Sequence, residues 1–285
     1  MYDFNILSPK TLDEALELKK VHGERLHPLA GGTDIFVGIR NDSLDWGPEP
    51  SLLNLNHIKE LHFVNESINN IEVGPLLTHN EIKKNHTIFK YAPAFSKAVS
   101  YIGSPQIRNQ GTIAGNIVHA SPAADSLPIL YARDAKIEIR TYKHIKLVPI
   151  QDFITGPGTV ELDPIGIITK IIIPKHQEYV GDYLTLRQRR ALSSNVVSVG
   201  VEMQKTHEGL IADIRIALGA VAPTVIRGEK TELLLKNKRL NTELIEEAKN
   251  LIQTECKPID DVRSNKNYRR AMTGVLLARF LWSNL

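Results

Sequence analysis

Two short glycine-rich segments constrain this chain more than any other feature of its sequence. Residues 29–34 read Leu-Ala-Gly-Gly-Thr-Asp, and residues 111–116 read Gly-Thr-Ile-Ala-Gly-Asn. Glycine has no Cβ, so its backbone N–H group can approach a phosphate oxygen, and successive N–H groups in a tight turn form a concave anion site. We interpret both segments as strand-and-turn elements that together cradle the pyrophosphate of a dinucleotide.

Each segment also has an ordinary structural explanation, which the sequence leaves open. Residues 31–34 can form a tight turn between a strand and a helix without any ligand. Hydroxyl groups around the second segment can equally satisfy neighbouring backbone groups. Asp125, a little further along, can accept from ribose hydroxyls or a ring N–H, or it can cap a helix or turn. Two such segments in one chain nevertheless favour a ligand.

The composition is that of a globular protein with one large or two ordinary domains, since 42% of its 285 residues are hydrophobic and 24% are charged. The net charge of +3 is too small to indicate nucleic-acid binding. The N-terminus has no secretory pattern, and no stretch approaches the roughly 18 apolar residues of a membrane span. We therefore expect a cytoplasmic protein without a membrane span.

The sequence predicts neither a catalytic triad nor a metal site in this chain. Cys256 is the single cysteine, which excludes disulfides, cysteine zinc sites and iron–sulfur ligation within the chain. His79, His86 and His119 are scattered, as structural histidines usually are, and His119 is the best candidate ligand because it follows the second glycine segment. Residues 187–190 (RQRR) are typical of a solvated face, although one arginine can reach a phosphate or a partner carboxylate.

Hydrophobic periodicity predicts an α+β fold with a boundary near residues 174–181. Thr11 and Glu14 have the spacing of a capping box, and a turn is predicted at residues 103–105. Strands are predicted at residues 52–55, 71–74, 135–140, 166–174, 195–201 and 211–218, and helices at residues 11–18, 34–40, 78–82, 92–101, 242–253 and from 267 onward.

Read together, several segments carry a family resemblance. They are residues 30–34 (AGGTD), 74–82 (GPLLTHNEI), 102–117 (IGSPQIRNQGTIAGNI), 120–125 (ASPAAD) and 267–270 (NYRR). In this order they resemble the FAD-binding medium subunit of molybdenum hydroxylases, the xanthine dehydrogenase and carbon monoxide dehydrogenase family. The first motif is weak alone, whereas the second, read with the first upstream, is specific, and the likeness covers nearly the whole chain.

The resemblance implies a two-part FAD-binding region of the vanillyl-alcohol-oxidase type followed by a small C-terminal α/β domain. The corresponding limits are residues 1–176, with subdomains of about 1–56 and 57–176, and residues 177–285. Carried over by position, the expected FAD-binding residues are Ala30, Gly31, Gly32, Thr33, Asp34 and Ile35 around the pyrophosphate, Ile102, Gly103, Thr112, Gly115, Asn116, Val118 and His119 opposite them, Asp125 near the flavin or ribityl end, Leu162 against the adenine or flavin edge, and Arg187.

The resemblance also implies a role and partners. FAD would receive electrons from a 2Fe–2S small subunit, which takes them from a molybdopterin large subunit, and would pass them to NAD, oxygen or a quinone in a dimer of heterotrimers. Arg187 stands where relatives often have a lysine, and Ser193 and Ser194 stand where an aspartate is common, so this loop departs from the family pattern and arginine keeps the charge but not the geometry of lysine. A stand-alone FAD oxidoreductase and a non-redox FAD-binding scaffold remain alternatives.

Overall fold

The computed structural model describes residues 4–41, 50–189 and 192–285. The N-terminal part of the protein is a small parallel sheet with helices. Its elements are β1 (Asn5–Leu7), α1 (Leu12–His22), a 3-10 turn (Gly23–Arg25), β2 (Leu26–Leu29), α2 (Ile35–Asn41) and β3 (Ser51–Asn54). The strand order is β1-β3-β2, with both pairs parallel. Thr11 and Glu14 form the predicted capping box at the start of α1. This helix connects β1 to β2, which leads into the first glycine segment.

The middle part is a five-stranded antiparallel sheet packed against short helices. Its elements are 3-10 turns at Leu55–His57 and Lys59–Leu61, then β4 (Val64–Glu66), β5 (Asn70–Val73), α3 (His79–Lys84), α4 (His86–Tyr91), α5 (Pro93–Val99), α6 (Pro105–Gln110), α7 (Ile113–His119), α8 (Ser126–Ala132), β6 (Lys136–Arg140), β7 (Ile145–Pro149), α9 (Ile150–Phe153), β8 (Ile154–Gly156), β9 (Thr159–Val160) and β10 (Ile167–Pro174). The sheet order is β4-β5-β10-β6-β7. One core joins this sheet to the helices and includes Phe95, Ile113, Ile117 and Ile171. Burial of apolar area stabilises this arrangement.

The C-terminal part is a four-stranded antiparallel sheet with three helices and a core of its own. Its elements are β11 (Tyr179–Arg187), β12 (Asn195–Lys205), β13 (Ile211–Gly219), β14 (Ile226–Arg227), α10 (Glu229–Leu235), α11 (Thr242–Glu255) and α12 (Lys266–Trp282). A buried ion pair joins it to the middle part, because Arg133 Nε and Nη2 each lie 2.9 Å from a carboxylate oxygen of Glu202. Both partners are almost fully buried, so loss of either would leave an uncompensated charge.

The mixture of helices and sheets confirms the predicted α+β fold, while the domain limits stay a prediction. One local prediction is incomplete and one is wrong. Residues 103–105 do not simply form a turn, because Ser104 accepts from the N–H of Ile107 at 3.2 Å and caps α6. Likewise, residues 113–119 are helix α7 rather than strand, with Thr112 as its cap. Of the helices that the structure describes, none is long and apolar enough to cross a membrane.

Candidate cofactor site

The two glycine-rich segments lie against each other in the folded chain. A Cβ added to Gly31 would lie 2.0 Å from the carbonyl oxygen of Gln110, so the backbones of the two segments touch. Asp34 and His119 meet across the same junction, with Asp34 Oδ2 2.8 Å from His119 Nδ1. These two side chains are 63% and 47% exposed, so the junction opens to solvent. The fold therefore brings together two predicted halves of one site.

The first turn, residues 30–35, carries unused backbone donors. Gly32 has a φ of +70°, which glycine adopts without strain. Phe36 and Gly38 donate their N–H groups to Gly32 O and Asp34 O. Among the described residues, by contrast, no hydrogen bond uses the N–H groups of residues 31–34 as donors. A half-buried turn with several unpaired amides has the donor set that an anionic pyrophosphate requires.

Five of the six backbone amides of the second segment, residues 111–116, donate hydrogen bonds within the described protein, and the Thr112 N–H does not. Gly115 N donates to Thr112 Oγ1 at 3.2 Å, which caps α7. The other amides donate within the protein as follows: Gly111 to Ile107 O, Ile113 to Leu77 O, Ala114 to Pro75 O and Asn116 to Thr112 O. The prediction that this segment is a strand and turn is therefore wrong, because it begins the capped helix α7 and, among the described residues, only its Thr112 N–H is left without an acceptor.

What the second segment offers instead is one exposed position without a side chain, Gly115. Gly115 is exposed, and a Cβ added there would meet a single protein atom within 4 Å, Thr112 Oγ1 at 3.1 Å. Space that a Cβ would fill is space that a ligand can enter. The first turn and the second segment thus fit an anionic ligand differently, one through donors and one through close approach.

The remaining predicted residues of this side shape the backbone around the segment. Arg108 Nη1 donates to the carbonyl oxygens of Ile102 (2.8 Å) and Gly103 (3.2 Å), which fixes the chain before α6. Asn116 Oδ1 accepts from Ser126 Oγ at 2.6 Å, and Val118 is half-buried on α7. The predicted residues in this region lie around α6 and α7, and their contact with FAD stays a prediction. They are Ile102, Gly103, Asn116 and Val118.

His79 has a structural environment. Its side chain is buried, with the residue 2% exposed, and its backbone N–H donates to the carbonyl oxygen of Gly111. Burial, with a smaller contribution from the Arg108 charge, lowers the pKa of His79 to about 4. Its ring is therefore neutral at physiological pH and packs beside Gly111. Within the described residues its buried Nδ1 has no hydrogen-bond partner, so the ring is buried without being fully hydrogen-bonded.

Asp125 belongs to a buried polar cluster, which we call the Asp125 cluster and which comprises Asp125, Tyr183, Arg187 and Asn195. Asp125 Oδ1 accepts from the Tyr183 hydroxyl (2.6 Å), from Asn195 Nδ2 (2.9 Å) and from Arg187 Nη2. Burial and the Asp125 charge raise the pKa of Tyr183 well above its usual value, so its hydroxyl stays protonated and donates. Asp125 makes no side-chain capping bond to α8. Sequence reasoning missed Tyr183 and Asn195.

Arg187 is not part of a solvated face. Its Nη1 donates to Tyr101 O (3.1 Å) and Ser193 O (2.7 Å), and its guanidinium lies 5.1 Å from the Tyr101 ring centroid. The side chain is 8% exposed. Arg189 is exposed as predicted, and Arg190 lies outside the described residues. Arg187 therefore ties β11 to the segment that precedes Ile102.

Leu162 lines an open pocket of about 190 Å³ beside β2, the strand that leads into the first turn. Leu26, Pro28, Lys19 and Asp163 also line it. Burial lowers the pKa of Lys19 to about 8, against an opposing effect of the Asp163 charge. The location agrees with a role for Leu162 beside FAD, which stays a prediction.

Comparison with known proteins gives matches along most of the chain. Residues 2–176 match the FAD binding domain in molybdopterin dehydrogenase, and residues 183–283 match the CO dehydrogenase flavoprotein C-terminal domain. The glyceraldehyde dehydrogenase medium chain of Sulfolobus acidocaldarius is 29% identical over 276 residues, which cover 96% of this chain and 95% of that one. The xanthine dehydrogenase FAD-binding subunit of Escherichia coli O157:H7 is 27% identical, with 94% and 92% covered.

Among solved structures, carbon monoxide dehydrogenase from Hydrogenophaga pseudoflava, in a form that lacks the Mo-pyranopterin moiety of the molybdenum cofactor, superposes with a TM-score of 0.92. The sequences are 26% identical, and the match covers 99% of this chain and 98% of that one. The similarity therefore extends over both the N-terminal region with the glycine segments and the C-terminal sheet.

Proposed function

This chain belongs to the family of FAD-binding subunits of molybdenum hydroxylases, and from that premise we propose that it carries electrons from a separate 2Fe–2S subunit to a final acceptor. Its cofactor is FAD and it is an oxidoreductase subunit. When bound, FAD supplies the electron-transfer chemistry. The chain's own residues then have three tasks, which are binding, orientation and control of solvent access.

One observation carries the proposal most directly: a turn whose described amides lack acceptors lies against the segment that leads to the exposed Gly115. We propose that Ala30 to Ile35 hold the pyrophosphate through the unused N–H groups of the turn. The opposite side would be Ile102, Gly103, Thr112, Gly115, Asn116, Val118 and His119, with Asp125, Leu162 and Arg187 at its edges. The exposed Gly115 lets a large ligand lie close to the α7 backbone.

The composition supports an electron donor on another polypeptide. The chain has one cysteine, whereas a 2Fe–2S cluster of the common type takes four cysteine ligands. We propose a 2Fe–2S small subunit as donor and a molybdopterin large subunit as the place where organic substrate is oxidised. NAD, oxygen and a quinone are the candidate acceptors, and the assembly would be a cytoplasmic dimer of heterotrimers. The FAD-binding domain would span residues 1–176 and the C-terminal domain residues 177–285.

The proposal is tested with the purified chain, freed of flavin and then titrated with FAD. A flavin absorbance band, near 450 nm for oxidised flavins at roughly the position set by the cofactor, reports binding. The loaded chain is then mixed anaerobically either with a dithionite-reduced 2Fe–2S protein or with NADH and a dye. We expect the reduced 2Fe–2S protein to bleach the flavin.

Each other outcome has a definite meaning. Sustained NADH oxidation by the isolated chain, together with a flavin that the reduced 2Fe–2S protein does not bleach, would instead support a stand-alone oxidoreductase. Bound flavin that neither donor nor dithionite can reduce would support a non-redox scaffold. A folded chain without affinity for FAD, alone or with its partner subunits, would refute the proposal.

A further inference from the structure

The Asp125 carboxylate is held by the protein through one of its two oxygens. All three donors of the Asp125 cluster, the Tyr183 hydroxyl, Asn195 Nδ2 and Arg187 Nη2, point at Oδ1. Oδ2 accepts no hydrogen bond from any residue in the described ranges. Part of its surface is accessible to solvent. The carboxylate is therefore fixed at Oδ1 and open to an outside donor at Oδ2.

The cluster is connected to both chain segments that flank the second side of the site. Ser126 follows Asp125 directly, and its Oγ donates to Asn116 Oδ1 at 2.6 Å, one residue beyond Gly115. Arg187 donates to Tyr101 O, immediately before Ile102. Movement of Asp125 or Arg187 would thus be transmitted to backbone predicted to line FAD.

We propose that Tyr183 and Asn195, from the C-terminal sheet, are positioning residues of the cofactor site: they fix Oδ1 of Asp125 so that Oδ2 accepts a hydrogen bond from a hydroxyl or ring N–H of FAD. This inference rests on the proposed function. An acceptor that is oriented in advance binds with less loss of conformational freedom, and hydrogen bonds to a carboxylate are stronger than neutral ones. Tyr183 and Asn195 thereby contribute to FAD affinity without contacting FAD.

The test compares Tyr183→Phe and Asp125→Asn with a matched control, Tyr131→Phe. Tyr131 is also a buried tyrosine, on α8, and no recorded hydrogen bond within the described residues uses its hydroxyl. FAD affinity is measured by titration of the flavin-free chain, together with the circular dichroism of the bound flavin and the thermal midpoint. We expect affinity to fall roughly three- to tenfold in Tyr183→Phe and at least about tenfold in Asp125→Asn, with altered flavin dichroism in both.

A purely structural role for Tyr183 would lower the thermal midpoint but leave FAD affinity and flavin dichroism equal to those of Tyr131→Phe, and that result would overturn the proposal. Wild-type affinity in Asp125→Asn would also overturn it, because Oδ2 would then not contact FAD. A wild-type chain that binds no FAD would refute the proposed function itself.

A second measurement on the wild-type chain does not depend on the variants folding. Because coupling between two sites is reciprocal, FAD should slow hydrogen exchange at the backbone amides of residues 183 and 195. Amides of α11, which is remote from the cluster in the described contacts, should not change. Unchanged exchange at residues 183 and 195 on saturation with FAD would count against positioning by the C-terminal sheet.

Discussion

The first turn and the second glycine segment are similar in sequence but adopt different structures and have different roles in the fold. The first turn is irregular backbone around Gly32, whose φ is positive, and leaves its amides without partners in the described chain. The second segment is the start of a helix, and within the described chain five of its six amides donate to that helix or its neighbours, the Thr112 N–H being the exception. Glycine therefore supplies a backbone conformation in one case and an empty surface in the other.

Gly31 of the first turn and Gly115 of the second segment differ in the atoms that an added methyl group would contact. At Gly31 it would run into the backbone of Gln110, so glycine there is required by the protein's own packing. At Gly115 it would meet one hydroxyl oxygen and otherwise open space. If glycine at position 115 is required, the requirement comes from a ligand. The following predictions test this distinction, beginning with the largest expected effect.

Gly31→Ala should destabilise the fold and abolish FAD binding together. The added Cβ would lie 2.0 Å from Gln110 O, so the two segments must separate. We expect a loss of about 3 kcal/mol or more in the free energy of unfolding, at the upper end for overpacked sites. Urea unfolding and flavin absorbance measure both effects. A Gly31→Ala chain with wild-type stability would show that the two segments do not touch.

His79→Leu should reduce the loss of folding stability at acid pH. His79 packs beside Gly111 of the second segment. The folded pKa of about 4 lies below the usual value of 6.5, so the unfolded chain binds more protons between these pH values. Stability from this group is fully present above pH 6.5 and falls as the pH drops toward 4, by about 2 kcal/mol between pH 6.5 and 5.

Urea unfolding at pH 7.5 and pH 5 measures this effect. The difference between the two pH values should shrink in His79→Leu and persist in His86→Gln, since His86 is exposed. An unchanged pH dependence in His79→Leu would mean that folding does not lower the pKa of His79.

Gly115→Ala should separate stability from binding. Alanine in a helix is favoured over glycine by roughly 0.5–1 kcal/mol, so the thermal midpoint of the flavin-free chain should stay level or rise after relaxation at Thr112. FAD affinity should fall at least about tenfold, or about 1.4 kcal/mol, because the new methyl group occupies the ligand's approach. FAD titration and thermal unfolding measure the two effects. Unchanged affinity would remove the second segment from the site.

Asp34→Asn should have the smallest effect on the fold. Asp34 and His119 form an exposed pair, and such pairs contribute between 0 and about 1 kcal/mol. We expect a change in unfolding free energy within that range, and the same for His119→Gln. A double-mutant cycle of the two variants measures their coupling. A coupling clearly above this range would show that the pair, rather than the backbone contact at Gly31, holds the two segments together.

Local signals predicted those elements whose determinants are adjacent in sequence. The capping box of Thr11 and Glu14 and the β-branched run of β10 needed no tertiary information. The start of α6 was also readable, because Ser104 followed by Pro105 is a helix-start pattern, yet glycine next to it favoured a turn. Glycine in the second segment misled the prediction in the same way.

The Asp125 cluster could not be predicted in this manner. Tyr183 and Asn195 lie on neighbouring strands of the C-terminal sheet. They lie close to Asp125 only because that sheet packs on the middle part. Nothing in the residues around position 183 or 195 indicates a partner 58 or 70 residues away. Long-range polar contacts of this kind become visible only in the fold.

The contact between the two glycine segments sets an order of events during synthesis. Asp34 and His119 are 85 residues apart in sequence, and closing so long a loop is slow compared with forming a local helix. The ribosome releases the first turn seconds before its counterpart, at about 5–20 residues per second. A nascent chain therefore exposes amide donors before any pocket exists, and FAD can be retained only after the segment around Gly115 has been made and folded against them.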